Sequence, residues 1–357
     1  MAGEVDPKDQ INFCVLCVED NEYMLDVLLK SLKRMGMART VGVKSVKEAV
    51  DYLKSSAKSA ARGGDTIDMV VADLVTPPVN GIHLLRWLRS DKASPNRFMP
   101  FIMLSGAADR ANITESRDLG VNLFMAKPYS IEKLYKALQR IVDAPRQFVM
   151  TQGYFGPDRR FVKPESPPNP ERRKPDESHA TIVYSDQRVE KAKTDAGDVW
   201  LFKLPNSLKQ QLGSAARFEF TIPERILNSA QESLKREGDG FLGWAKTYLD
   251  QLSKELAAAK ELKDKRDPNF AKINFIAHEL RGQGGTFGFP LITAFGKSLF
   301  QVTTPPCRTD DAGIDIVKAH IDTLRAVIRD KIEGDGGEVG KALYMELRAG
   351  IAKHQAA

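Results

Sequence analysis

Between Ile11 and Arg140 the chain alternates short apolar, β-branched runs with longer stretches in which apolar residues recur every three or four positions. The short runs are Ile11 to Val18, Arg39 to Val43, Ile67 to Asp73, Met99 to Leu104 and Val121 to Met125. Near-continuous apolarity marks strands covered on both faces, as in a parallel sheet, and the amphipathic stretches between them mark crossover helices. Five βα units are predicted. Their helices start near Asn21, Ser45, Gly81, Asp109 and Ser130, with Ser45 and Ser130 as N-caps.

From Ala144 to about Ser178 the periodicity gives way to proline and positive charge: Pro157, Pro164, Pro167, Pro168, Pro170 and Pro175 are interleaved with Arg159, Arg160, Arg172, Arg173 and Lys174. Such a stretch builds no packed core and reads as an extended tether, with a basic docking strip as the second reading. Residues 179–212 carry little pattern; Val199 to Leu204 resembles one strand with no obvious partner. Beyond Pro223 the period turns helical. Stripes run through Phe241, Leu242, Ala245, Leu249, Leu252, Leu256 and Ala259, through Ile273, Ile276, Ala277 and Leu280, and through Ile314, Val317, Ile321, Leu324 and Ile328. Leu291 to Phe300 and Val339 to Ile351 add two more, so a four-helix-bundle-like, all-α domain is expected. The expected organisation is therefore an α/β domain over residues 1–145, a Pro-rich basic linker and weakly patterned segment over 146–212, and a helical domain over 213–357.

Composition changes this picture little. The 357 residues, 42% of them hydrophobic, suffice for several cores, and the net charge of +6 is largely concentrated in the tether. Nucleic acid is accordingly not the favoured partner. No apolar run approaches the ~20 residues that span a bilayer, and Met1 to Gln10 are polar and acidic, so a cytoplasmic protein without a membrane partner is expected. Three cysteines do not make a disulfide framework, and Cys14 and Cys17 read as core residues of the first strand.

Ligands of open parallel sheets bind beyond the carboxyl ends of the strands, which directs attention to the residues closing each run. Glu19 and Asp20 follow the first, Asp73 closes the third, Ser105 the fourth, and the fifth runs through Phe124 to Lys127 and Pro128. Three carboxylates in one crevice repel one another unless a cation sits among them, and Mg²⁺ is the natural hard divalent occupant.

The order and spacing of these residues over about 11–143 resemble the receiver domains of bacterial response regulators. Glu19 and Asp20 look like the family's acidic pair, Asp73 like its phosphoacceptor, Pro77 and Gly81 like the turn after it, Ser105 and Phe124 like the switch pair, and Lys127-Pro128 like its Lys-Pro dipeptide. The resemblance implies a flavodoxin-like (βα)5 fold and a signalling protein that catalyses its own phosphorylation and dephosphorylation rather than turning over a separate substrate. It also implies Mg²⁺ held by Asp20, Asp73 and the backbone carbonyl of Val75, with Glu19 acting through metal-bound water. Lys127 would pair with the phosphoryl oxygens, Ser105 would follow the new group, and Phe124 would rotate into the vacated space. Val75 is apolar where many relatives carry a polar side chain that positions hydrolytic water, so a long-lived acyl phosphate is expected.

A second string, Ala277-His278-Glu279-Leu280-Arg281-Gly282-Gln283-Gly284-Gly285-Thr286-Phe287-Gly288, places His278 on a helix with Asn274, Arg281, Gly282 and Gly285 along the same side. Glycines inside a helix cost about 1 kcal/mol each relative to Ala, and close approach of another protein's backbone is one explanation for the cluster. The string resembles the phosphohistidine motif of histidine-phosphotransfer (Hpt) domains, four-helix bundles with an exposed histidine. Gln283 departs from the small hydroxyl residue frequent there. The resemblance implies His278 as nucleophile, Arg281 as stabiliser of the phosphoryl group, and Gly282 as clearance for an incoming receiver. His-Glu-Leu-Arg is also similar to the phosphoacceptor box of sensor kinases, but no nucleotide-binding lid follows, and Gly336 to Lys341 lack the residues of a phosphate loop. His320, among Val317, Ile321 and Leu324, reads as a core residue.

The reading these features favour is a two-component phosphorelay protein with stations at Asp73 and His278, a sensor histidine kinase or Hpt protein upstream and the receiver of another regulator downstream. The alternative is a response regulator whose helical half is an interaction or nucleic-acid-binding output module without phosphohistidine. A third is a scaffold whose second half only dimerises.

Overall fold

A computed structural model describes residues 11–37, 39–106, 110–159, 180–186, 198–212, 220–262 and 264–355. The chain forms two compact units, one of residues 1–125 and 131–230, the other of residues 126–130 and 231–357.

In the first unit, strands β1 (Val15–Val18), β2 (Thr40–Val43), β3 (Met69–Asp73), β4 (Phe101–Ser105) and β5 (Leu123–Ala126) form one sheet in the order β2-β1-β3-β4-β5. The pairings of β1 with β2 and β3, and of β3 with β4, are parallel. Helices α1 (Glu22–Arg34), α2 (Val46–Ala60), α3 (Gly81–Ser90), α4 (Arg110–Asp118) and α5 (Ile131–Asp143) connect them or follow the last. All residues of β1, β3 and β4 are buried, which is why these segments are uninterrupted apolar runs. Asn21 caps α1 by accepting from Met24 N–H. Ser45 and Glu48 form a reciprocal box: Glu48 N–H donates to Ser45 Oγ, and Lys44 N–H donates to Glu48 Oε2. Cys14 and Cys17 are buried free thiols. Asp109 lies outside the described residues, and α4 begins beside it.

The span 146–212, expected as a Pro-rich basic linker and a weakly patterned segment, holds strands in its described parts. Strands β6 (Phe148–Thr151), β7 (Tyr154–Pro157), β8 (Ala180–Val183) and β9 (Val199–Phe202) form a second sheet, ordered β7-β6-β9-β8, and the short helix α6 (Ser207–Gln211) follows. Val199 to Phe202 does have partners: Phe148 pairs with Phe202 and Val149 with Leu201. Phe98 centres the core of this sheet, its ring 5.1 Å from those of Phe148, Phe155 and Phe202. The β6–β7 hairpin meets the α4–β5 turn backbone to backbone. Gly120 has φ +86°, a Cβ on it would lie 2.9 Å from the Phe155 carbonyl oxygen, and a Cβ on Gly156 would lie 2.7 Å from Gly120 Cα. Arg159 adds an ion pair to Asp118 at 3.0 Å and stacks over Tyr154. Arg160, Pro164, Pro167, Pro168, Pro170, Arg172, Arg173, Lys174 and Pro175 lie outside the described residues.

The later helices are α7 (Glu224–Arg236), α8 (Gly238–Glu261), α9 (Asp267–Gln283), α10 (Pro290–Thr303), α11 (Asp311–Arg329) and α12 (Gly337–Gln355). In the second unit α8 packs on α9, α9 on α10, α10 on α11, and α11 back on α8, closing a four-helix ring, with α12 against α11. The bundle core takes in Phe241, Leu252, Ile273, Leu280, Phe295, Leu299 and Leu324, all buried. His320 is wholly buried; its Nδ1 lies 2.8 Å from the Ile316 carbonyl oxygen and its Nε2 2.9 Å from Ser298 Oγ.

Candidate functional site

Because β1 and β3 are parallel neighbours paired Val18 to Ala72, the residues that leave their carboxyl ends emerge side by side. One carboxylate oxygen from each of Glu19, Asp20 and Asp73 lies within 4.8 Å of the others. Glu19 and Asp73 are buried and Asp20 is half-buried. Asp73 is held through its backbone: Thr76 Oγ1 donates to the Asp73 carbonyl oxygen at 3.2 Å, and Leu74 N–H donates to the Leu104 carbonyl oxygen at 2.8 Å. Thr76 is fully buried and is a residue the sequence pattern did not single out; a hydroxyl three residues past Asp73 was its signal. Gly81 opens α3 so close to β3 that a Cβ there would sit 2.0 Å from the Asp73 carbonyl oxygen. Three carboxylates, two of them buried, converging in one crevice suit a hard divalent cation and fit Mg²⁺.

Ser105 closes β4, next to β3, and is fully buried. Phe124 lies in the edge strand β5, half-buried against the sheet core, as does Val75 just beyond Asp73. Lys127 is the first residue after β5, buried, and joined to Pro128 by a cis peptide bond.

In the second unit His278 and Arg281 lie one turn apart on α9. Arg281 Nη2 donates to His278 Nδ1 at 3.2 Å, and both groups pack on Phe300 of α10, the guanidinium 4.1 Å from the ring centroid and the imidazole edge-on at 5.7 Å. The resemblance implied an exposed histidine; His278 is instead only 7% exposed. Phe300, twenty-two positions away in sequence, reaches it because α9 and α10 cross closely, a Cβ on Gly296 falling 2.7 Å from Arg281 N. Two glycines of the string also have an internal cause rather than the proposed approach of another protein. A Cβ on Gly284 would lie 2.6 Å from the Phe289 carbonyl oxygen, and Gly288 adopts φ +89° at the turn into α10.

Comparison with known proteins bears on the first unit. The family model of the response regulator receiver domain matches residues 15–139. The chemotaxis protein CheY-3 of Vibrio cholerae is 30% identical over 132 residues, 37% of this chain and 93% of that protein. The transcriptional regulatory protein GltR of Pseudomonas aeruginosa is 26% identical over 139 residues, 39% of this chain, and the chain spans about half of its length, 52%. Among solved structures, the receiver domain of the sensor histidine kinase PA1611 from Pseudomonas aeruginosa, with a magnesium ion in its active site cleft, is 25% identical, covers 35% of this chain and 93% of that one, and has a TM-score of 0.30.

Proposed function

The chain belongs, through residues 15–139, to the response regulator receiver family, and from that we propose that it is a phosphorelay component accepting a phosphoryl group at Asp73 and exchanging one at His278. Two-component signalling and phosphoryl acceptance come with the family; the assignment of residues is our reading. The observation that carries it is the clustering of Glu19, Asp20 and Asp73 at the carboxyl end of the parallel sheet.

A carboxylate oxygen of Asp73 attacks phosphorus of the donor. The new P–O bond forms as the donor's bond to phosphorus breaks, and the electron pair leaves with the donor, which takes up a proton if it is an imidazole. Asp20, Asp73 and the Val75 carbonyl, with Glu19 alongside, would hold Mg²⁺, which would supply charge neutralisation for the transferring oxygens. Thr76 fixes the Asp73 backbone, so the nucleophile arrives without reorganisation. Lys127 supplies the ammonium that pairs with the phosphoryl oxygens, and the Ser105 hydroxyl donates to one of them, drawing its loop inward while Phe124 fills the space. With Val75 offering no polar group to orient water, the acyl phosphate is long-lived.

For His278 the support is the pairing with Arg281. A guanidinium only donates, so Nδ1 is the acceptor and the neutral ring carries its proton on Nε2. Attack by Nε2 therefore requires Arg281 to release Nδ1, which can then take the proton, and the released guanidinium is left near the phosphoryl oxygens. Upstream partners are a sensor histidine kinase or an Hpt protein, and the downstream partner is another receiver.

The test offers a ³²P-labelled phosphodonor and Mg²⁺ to the full chain and to Asp73→Ala and His278→Gln. Two stations predict an acid-stable, base-labile label lost with Asp73 and an acid-labile, base-stable label lost with His278. Label of the second kind surviving in His278→Gln removes the histidine assignment and favours an output module.

A further inference from the structure

At the amino-terminal end of the parallel sheet, opposite the acidic cluster, the first unit has an open cleft of about 1910 Å³ lined by the α3–β4 loop, the start of β5, the α5–β6 connection and the segment from β9 to α6. Basic side chains outnumber acidic ones in its lining. Arg97, Arg140, Arg146, Lys92 and Lys203 line it, against Asp68, Asp91 and Asp186. Two of those acids are already engaged: Asp68 accepts from Cys14 N–H at 2.7 Å, and Asp91 accepts from Ala93 N–H at 2.7 Å.

Behind the wall sits Arg89, 3% exposed. It donates to the carbonyl oxygens of Gly120 and Arg97 and to Asn122 Oδ1, at 3.0, 2.8 and 2.8 Å. Arg97 donates through Nε to the Arg89 carbonyl oxygen and lies 4.3 Å over the Phe155 ring, while Arg146 donates through Nη2 to the carbonyl oxygens of Val121 and Asn122. None of the three guanidinium groups has a carboxylate within ion-pair distance among the described residues; Asp158 acts on Arg146 only at longer range. Burial, reinforced by the charges of Arg97 and Arg146 and opposed by Tyr154, pushes Arg89 down to about 9, and burial lowers Arg97 and Arg146 as well. Buried cations are ordinarily paired, so a cluster neutralised only by carbonyl dipoles and ring faces is a standing attraction for anions. Arg97 and Arg146 both line the cleft, and among the described residues Nη1 and Nη2 of Arg97 and Nε and Nη1 of Arg146 make no hydrogen bond; a planar guanidinium matches phosphate through paired hydrogen bonds.

We propose that this cleft binds a small ligand bearing two or more phosphate groups, gripped by Arg97 and Arg146 with Arg140 and Lys203 contributing from the same lining. The site is independent of the acidic cluster, so phosphoryl acceptance at Asp73 neither requires nor excludes it.

The experiment is calorimetric titration of the full chain with tripolyphosphate in magnesium-free buffer, where the acidic cluster offers no anion site. Expected is saturable one-to-one binding, weakened about tenfold by Arg97→Gln or Arg146→Gln, as befits loss of one charge-assisted contact worth about 1.4 kcal/mol. Lys203→Gln should weaken it by a smaller factor, and Asp73→Asn should leave it unchanged. If Arg146→Gln fails to fold by circular dichroism, Arg97→Gln and Lys203→Gln decide. No saturable heat, equal affinity in those two variants, loss in Asp73→Asn, or binding of poly-glutamate in place of tripolyphosphate would each overturn the proposal.

Discussion

Gly81→Ala adds a single carbon at the point where α3 begins beside the end of β3, and the structure fixes what it meets. The new Cβ would lie 2.0 Å from the Asp73 carbonyl oxygen and 3.1 Å from its carbonyl carbon. Ordinary contact needs about 3.5 Å, so backbone must move by about 1.5 Å, with no flexible side chain to absorb the shift. The Gly81 N–H to Leu74 carbonyl bond, 2.9 Å, holds the same turn shut. Overpacking typically costs about 1–3 kcal/mol, and a backbone-on-backbone clash belongs at the upper end, near 3 kcal/mol. For a unit of this size each kcal/mol lowers Tm by roughly 2–4 °C, giving a fall of about 6–12 °C in scanning calorimetry of the full chain. Binding of beryllofluoride should weaken in parallel, since the displaced backbone is that of Asp73. Gly243→Ala is the control: nothing lies within 4 Å of its Cβ on the exposed side of α8, and a gain of about 0.5–1 kcal/mol is expected. A Tm for Gly81→Ala within about 2 °C of the parent, with beryllofluoride affinity intact, would refute the reasoning.

Two further perturbations test the packing of each unit. Burial lowers the pKa of His320 against the opposing pull of the Ile316 carbonyl, so the folded ring stays neutral where the unfolded ring, near pH 6.5, takes a proton. Its contribution to stability is full above about pH 6.5 and is lost as pH falls below that value; His320→Gln should flatten the dependence of the helical unit's urea midpoint on pH, and an unchanged slope would rule the group out. Arg89→Met strips donors from the carbonyl oxygens of Gly120 and Arg97 and from Asn122, which still accepts from Phe101 N–H. A loss of about 3 kcal/mol in urea denaturation is expected, and less than about 1 kcal/mol would show that the guanidinium is not a keystone of the accessory sheet.

The parallel sheet was legible because strands buried on both faces leave uninterrupted apolar runs, and the acidic cluster because chemistry at the ends of such strands falls at fixed points of that pattern. β1 starts at Val15, not Ile11, since Ile11 makes only an isolated bridge to Met37 and Cys14 N–H turns to the Asp68 side chain. The accessory sheet left almost no local trace. Its strands are four residues long, and β6 pairs with a strand about fifty residues away, so neither periodicity nor turn chemistry joined them. The aromatic residues Phe98, Phe148, Phe155 and Phe202 were the available signal, scattered too widely to read as one core. The position of His278 on α9 followed from spacing, but its burial did not, because it depends on where Phe300 falls when α10 crosses over Gly296.

The meeting of Gly120 with Gly156 has a bearing on modularity. A receiver cut from this chain at the end of α5 would lose the hairpin whose Phe148 and Phe155 rings cover Phe98 and whose Phe148 ring lies against the Arg89 guanidinium, leaving an oily, positively charged scar on the severed piece. The smallest fragment able to stand alone with Asp73 should therefore extend past Phe202, and exchanging this receiver for an ordinary one would require carrying the hairpin along, or rebuilding the turn that it grips.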